Sequence, residues 1–270
     1  MANIIPMAGL GSRFSKDGYL LPKPLIPVSG KPMIICAIRN MPASDKWIFI
    51  VRKEHIDDYA IDVLIKSEIK DAIVISVDKT TEGQASTCML AMPHLDRDEE
   101  VFIAACDNSF LYDKKKYENL KNDEKTDCVV WTFTKDELLS ANPKAWGWIK
   151  LAEDGETIAD MSVKIPVSED PFSDHAVVAT FYFKKAGDFI DAYDLMVKEN
   201  YRINNEFYID SLPIFMKKLG KNSIIFDVDL YVGWGKPQDL YLYEEKEYYY
   251  KNFPKKLTDE KWREFFQEYD

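Results

Sequence analysis

Apolar and polar positions change period along this chain, and the change divides it. Asn3 to Met7 is a short, nearly continuous apolar run, as a strand buried on both faces requires. Trp47–Arg52, Ala72–Val77 and Val101–Ala105 repeat that pattern. Helical stretches separate them. Pro32–Asn40 and Ala85–Ala91 read as helices. Glu54–Ser67 shows helical spacing, with Ile56, Tyr59, Ala60, Val63 and Leu64 on one face. This β-α-β-α-β order predicts a three-layer α/β/α fold, with a Rossmann-like, mostly parallel sheet covered on both faces.

The middle of the chain has a different pattern. Cys128–Phe133, Trp146–Leu151, Ile158–Val163 and Ala176–Phe183 read as strands with little helix between them. Asp154-Gly155 is a hairpin turn between two of these strands. They predict additional, antiparallel strands at the edge of the main sheet. Phe189–Glu199 and Phe207–Lys218 read as helices, the second capped by Gly220. The tail, rich in Tyr, Glu and Lys, predicts one or two amphipathic helices. Its aromatics serve either to pack on the body or to contact a second copy in a homo-oligomer. The expected organisation is one domain over 1–242, with a first part over 1–126, a second over 127–242, and a helical tail over 243–270.

Composition narrows the function. The 270 residues are 46% hydrophobic and 30% charged, an ordinary globular mix, and the net charge is −11. A nucleic-acid binder needs a basic face to displace counterions from phosphates, so a polynucleotide partner is not expected. The cysteines Cys36, Cys88, Cys106 and Cys128 are scattered without CxxC spacing, and the expectation is buried, reduced thiols. The histidines show no paired metal spacing, which argues against zinc. No run of about 18 apolar residues would span a membrane, and the start lacks the features of a signal peptide. A cytoplasmic location and no membrane partner are expected.

The densest chemistry lies between Pro6 and Met33. Gly9 and Gly11 directly follow a buried strand, where glycine lets backbone N–H groups approach phosphate oxygens. Arg13 stands two residues on, within reach of the same phosphates. Pro22, Pro24 and Pro27 forbid an early helix and hold Lys23 in a rigid loop. The P-loop pattern GxxxxGK[ST] is absent, and Phe14 breaks the third glycine of GxGxxG. Two glycines, an arginine and Pro-Lys-Pro in one loop exceed what a βα turn requires. Asp107 ends the run VFIAAC, and strand C-terminal ends are where open α/β sheets gather ligands. A carboxylate there suits Mg²⁺, which takes one or two carboxylates plus phosphates and water.

Gly9, Gly11, Arg13, Pro22, Lys23, Gly30, Lys31, Pro32 and Met33 together resemble the signature of the sugar-phosphate nucleotidyltransferases, G-x-G-x-R, then P-K, then G-K-P-M. That family includes the thymidylyl-, uridylyl-, cytidylyl- and guanylyltransferases of sugar 1-phosphates, and weaker similarity runs to about Leu242. The resemblance implies an Mg²⁺-dependent enzyme that joins a nucleoside triphosphate to a phosphorylated small molecule. Ala8, Gly9, Gly11, Ser12 and Arg13 would hold the triphosphate, Arg13 and Lys23 would be catalytic, and Asp107 would hold the metal. Gly83 and Gln84 resemble the base-recognition segment. Gly147 resembles the glycine that admits the acceptor, and Lys164 the lysine that binds its phosphate.

The pattern frays on the acceptor side. Val163 stands where the family carries a glutamate, which makes a phosphorylated alcohol or amino compound, as in cytidylyltransferases, an alternative to a sugar 1-phosphate. Glu206 resembles an acceptor-lining residue and equally suits a helix-capping role. In Val232–Asp239 the family's first aspartate, a second metal ligand, is Gly233; Asp227 or Asp229 is the expected replacement, Asp229 favoured, unless Asp107 and the phosphates hold the metal alone. A glycosyltransferase of similar architecture would carry a DxD metal motif, whereas the chain reads Asp107-Asn108-Ser109. A nucleotide-sensing module without catalysis is the remaining reading.

Overall fold

The computed structural model describes residues 1–269, with side chains described through residue 268. β1 (Ala2–Met7) leads through a loop and short α1 (Ser12–Lys16) to a small hairpin of β2 (Pro27–Val28) and β3 (Lys31–Pro32). Next come α2 (Met33–Ile38), β4 (Lys46–Arg52), α3 (Lys53–Tyr59), α4 (Ile61–Glu68) and β5 (Ile73–Val77). Then follow α5 (Gln84–Met89), β6 (Val101–Ile103), β7 (Asn108–Leu111), α6 (Lys114–Lys121), β8 (Cys128–Phe133) and α7 (Glu137–Ala141). β9 (Gly147–Leu151), β10 (Ile158–Val163) and the long β11 (His175–Phe183) precede α8 (Ala186–Lys198) and α9 (Leu212–Lys218). β12 (Ser223–Asp227), β13 (Leu230–Gly233), α10 (Pro237–Asn252) and α11 (Glu260–Tyr269) complete the chain.

β5, β4, β1 and β6 pair in parallel in that order. β11 then enters antiparallel to β6, β8 and β9, β10 extends antiparallel from β9, and β12 lies parallel to β8. The result is a nine-stranded, mostly parallel sheet. β1 shows why its sequence is apolar throughout. Ile5 and Met7 join the core beneath α2, α4 and α10, and Ile4 joins the core beneath α5, α8 and α9. Both faces are covered, as the expected three-layer fold requires.

β7 and β13 form a separate antiparallel ribbon. Trp131 of β8 packs its ring 4.8 Å from Phe110 of β7 and 4.9 Å from Phe226 of β12. Such aromatic pairs add roughly 0.5–1.5 kcal/mol each beyond area burial, enough to pin the ribbon to the sheet. The tail folds onto the body. Tyr243 and Leu240 of α10 and Phe265 and Phe266 of α11 are buried in the same core as α2.

Three details depart from the expected elements. Glu54–Ser67 is two helices, because Ala60 adopts a left-handed conformation (φ 50, ψ 40) between them. The break rotates the faces: Ile61 and Ile65 are buried, whereas Val63 and Tyr59 are exposed. The helix expected from Phe207 begins only at Leu212, with Pro213 in its first turn, where a missing N–H costs nothing. Finally, β11 carries a register shift between Val177 and Phe181, with Ala179 in the left-handed region. The bulge presents the Val178 carbonyl, which accepts a 2.8 Å hydrogen bond from Asn108 Nδ2.

Candidate active site

The loop after β1 is built to stay open. Gly9 and Leu10 are exposed, and nothing lies within 4 Å of where a side chain at Gly9 would begin. Gly11 has φ +61 and caps α1, while an added Cβ there would sit 3.2 Å from Lys23 Cβ. Glycine thus serves both the turn and the close approach of Lys23. Ser12 and Arg13 begin α1 and are exposed, while Ala8 is buried. Lys23 opens a short 3₁₀ turn after Pro22. Beyond it, Ser29 and Gly30, both at positive φ, turn the chain between β2 and β3. The Ser29 hydroxyl lies 2.6 Å from the Tyr243 hydroxyl of α10, which fastens the loop to the tail.

Lys23 Nζ donates to Asp107 Oδ2 in an ion pair spanning 84 positions of sequence. Burial lowers the proton affinity of Lys23. Asp107, with a smaller contribution from Cys106, more than offsets this, so the ammonium is held above the ordinary lysine range and stays charged. Asp107 lies at the junction of the sheet and the β7–β13 ribbon, and its carbonyl accepts a 2.8 Å bond from the Trp234 N–H. A Cβ at Gly235 would stand 3.1 Å from Asp107 Oδ2, so the backbone passes directly over the carboxylate.

The second acid is not where it was expected. Asp229 lies at the far end of the ribbon, its N–H donating to the Leu111 carbonyl, four residues from Asp107 and roughly 13 Å along the strand. Asp229 is therefore not brought to Asp107. Gly233 has no space for an acid, since a Cβ would meet the Tyr231 hydroxyl at 2.8 Å. The carboxylate that does feel Asp107 is Asp239, in the first turn of α10. Burial raises its pKa; Lys236 opposes this, Asp107 adds to it, and Arg13 and Lys23 oppose it again. Asp239 thus shares one electrostatic neighbourhood with Asp107, Arg13 and Lys23. Two mutually repelling carboxylates beside the cations Arg13 and Lys23 form a donor set of the kind that fits Mg²⁺.

The segment carrying Gly83 and Gln84 begins α5, which packs Ala85 against the same core as Ala8. Gly83 has φ +130, and a Cβ would lie 2.6 Å from the Phe207 carbonyl oxygen. Its glycine is thus required by the passing backbone. The Phe207 N–H donates to the Glu82 carbonyl, the Ala85 N–H donates to the Phe207 carbonyl, and Arg202 pairs with Glu82 at 2.8 Å. Glu206 is exposed in a turn closed by reciprocal bonds with Ile203, before any helix starts, so it caps none.

Gly147 and Lys164 do come together. Gly147 pairs with Val163 across β9 and β10, and the Lys164 N–H donates to the Trp146 carbonyl at 2.8 Å. Lys164 is itself left-handed (φ 67), with its ammonium 5.3 Å from the centre of the Tyr208 ring. Asp210, which the sequence did not single out, faces Gly147: an added Cβ would overlap its carboxylate, with Cγ at 3.1 Å. Burial pushes the Asp210 carboxyl up to about 6, against its own backbone N–H and the Lys164 charge. The two halves of the site meet through rings. Trp146 packs 5.6 Å from Tyr231, whose hydroxyl is pushed well up by burial and then by Asp107.

Residues 3–152 match the sequence model of the MobA-like NTP transferase domain. Solved structures share the whole architecture. A nucleoside-diphosphate-sugar pyrophosphorylase from Vibrio cholerae RC9 superposes with a TM-score of 0.71 at 22% identity, covering 90% of this chain and 99% of its own. The inositol-1-phosphate CTP transferase of T. maritima gives 0.70 at 14% identity, covering 93% and 96%. A putative glucose-1-phosphate thymidylyltransferase from Bacillus anthracis, in complex with a sucrose, gives 0.70 at 20% identity, covering 91% and 94%. At these identities the likeness establishes the fold. No curated sequence matches the chain significantly.

Proposed function

The chain belongs to the MobA-like NTP transferase family, and from that premise we propose that it condenses a nucleoside triphosphate with a phosphorylated small metabolite, a sugar 1-phosphate or a phosphorylated alcohol or amine, and releases pyrophosphate. The observation that carries this reading is the Lys23–Asp107 pair beside an open glycine loop. A permanently charged ammonium and a metal-type carboxylate neutralise each other there until a more highly charged ligand separates them. Residues 1–126 would hold the nucleotide and 127–242 the acceptor. The tail over 243–270 would brace the loop through Tyr243. A cytoplasmic location suits these substrates; among the described residues no helix is long and apolar enough to cross a membrane.

The chemistry follows from charge. An oxygen of the acceptor phosphate attacks the α-phosphorus of the triphosphate. The bond from that phosphorus to the bridging oxygen breaks, and pyrophosphate leaves with the electron pair. A phosphate monoester is largely dianionic at neutral pH (second pKa about 6), so no side chain has to remove a proton. The residues must align two anions and spread their charge. Gly9, Gly11 and Ser12 offer backbone to the triphosphate. Arg13 and Lys23 supply positive charge, and Lys23 exchanges its carboxylate partner for a phosphate oxygen. Lys164 orients the attacking phosphate across Gly147. Gly83 and Gln84 shape the base pocket. Asp107 and Asp239 would hold Mg²⁺, which when bound offsets charge on the triphosphate.

The test is pyrophosphate release with Mg²⁺, each nucleoside triphosphate in turn, and a panel of sugar phosphates, alcohol phosphates and amine phosphates. Release that requires one triphosphate and one acceptor is the expected result. Triphosphate binding without release from any pair would refute transfer and support a sensing module. A glycosyltransferase would yield no pyrophosphate from any combination.

A further inference from the structure

Gly147 is a glycine for an unusual reason. Its φ is not positive, so no turn demands it. A side chain is excluded instead by the Asp210 carboxylate on one side and by Val177 Cγ2, 3.3 Å away, on another. Asp210 sits in a 3₁₀ turn over Ile209–Ser211, yet no side chain caps that turn. The groups that favour its charge are its own backbone N–H and Lys164. A half-buried acid with so little local support is costly and is kept where a ligand completes it. Lys164 points the same way. A lysine in the left-handed region is strained, and strain of this kind collects at binding sites. β9, the end of β10 and the 3₁₀ turn thus converge where Asp210 faces Gly147, close enough for its carboxylate to feel the Lys164 charge.

We propose that Asp210 is the specificity-determining acid beside Gly147: its carboxylate accepts a hydrogen bond from a hydroxyl or ammonium group of a small molecule whose phosphate is held by Lys164. The inference rests on the nucleotidyltransferase reading only in treating that molecule as the acceptor. The ligand class is a phosphate monoester with a donor group close enough to reach across Gly147. Hydroxyl and ammonium share the donor chemistry and differ in charge. An asparagine at 210 still accepts a bond from a hydroxyl but no longer neutralises an ammonium.

Binding of three probes separates these cases: O-phosphoethanolamine, 2-hydroxyethyl phosphate and ethyl phosphate. Each is titrated by calorimetry near neutral pH into the full chain with Mg²⁺ and each α,β-methylene nucleoside triphosphate. The wild type should bind one donor-bearing probe roughly tenfold or more tightly than ethyl phosphate, the range of a charge-assisted hydrogen bond. Loss of that preference in both Asp210→Asn and Asp210→Ala identifies an ammonium. Loss in Asp210→Ala alone identifies a hydroxyl. Equal or absent binding of the three probes to the wild type overturns the proposal, as does a preference that survives Asp210→Ala. Affinity for the triphosphate analogue is measured separately. If it stays intact while the probes show no preference, the role of Asp210 fails and nucleotide transfer stands. If no analogue binds the wild type, the transfer reading itself fails.

Discussion

Asp210→Asn should make the protein more stable near neutral pH, even though it removes a charged partner of Lys164. The carboxyl is pushed up from 3.8 to about 6 by burial, with its own backbone N–H and Lys164 opposing. At 1.36 kcal/mol per pKa unit, that shift amounts to about 3 kcal/mol of folding free energy. The direction follows from proton counts. Between the two pKa values the folded chain holds a proton that the unfolded chain has released, so stability falls as pH rises through that window. Below it both forms are protonated and nothing is lost; above it the full cost is present. Asparagine carries no charge at any of these pH values. The variant should therefore match the wild type at about pH 3 and exceed it near neutrality by up to about 3 kcal/mol, roughly 6 °C in melting temperature for a chain of this size. Urea titrations across that range measure the difference directly, and other titrating groups cancel between the two proteins. A gap independent of pH, or a wild type more stable than the variant near neutrality, would refute the picture of Asp210 as an acid whose surroundings disfavour its charge.

Lys23→Ala should lower turnover by at least about tenfold, because a charge contact to the transferring phosphate is lost; near wild-type turnover would remove Lys23 from the mechanism. Asp239→Asn should raise the Mg²⁺ concentration needed for half-maximal binding of a triphosphate analogue, and an unchanged requirement would leave Asp107 as the sole protein ligand. Gly83→Ala should destabilise the fold by about 2 kcal/mol, since the methyl group collides with the Phe207 backbone; unaltered melting would show that the backbone can yield. Burial pushes Cys36 up to about 11 and Cys106 up to about 12, and all four cysteines are buried. Iodoacetamide should leave them unmodified in the native protein and label them after unfolding, whereas rapid native labelling of any one would contradict its burial.

The candidate nucleotide loop stood out in the sequence because its residues violate local expectation. Gly9, Gly11, Arg13 and Lys23 crowd a loop whose prolines forbid the helix that should follow, and no turn explains them. Asp107 was legible because it ends an apolar strand. The approach of Asp239 to Asp107 was not, since its place depends on how the chain leaves β13. Gly233 holds the position the motif assigns to an acid, but Tyr231 fills the adjacent space and Asp239 arrives from the start of α10. Asp210 was hidden for a related reason. It lies in the apolar stretch Tyr208–Pro213, and only the packing of β9 against that turn brings it to Gly147. The break at Ala60 could not be read at all, because neither glycine nor proline marks it.

The contact between the Ser29 and Tyr243 hydroxyls closes a span of 214 residues. During synthesis, the glycine loop proposed to face the triphosphate therefore emerges long before the helix that secures it. A ribosome-bound fragment ending before α10 carries Gly9, Gly11, Arg13 and Lys23, yet it lacks both the clasp on their loop and Asp239. If the proposed site is right, competence to hold a charged nucleotide arrives late, near the end of translation, and an incomplete chain should be unable to sequester triphosphate.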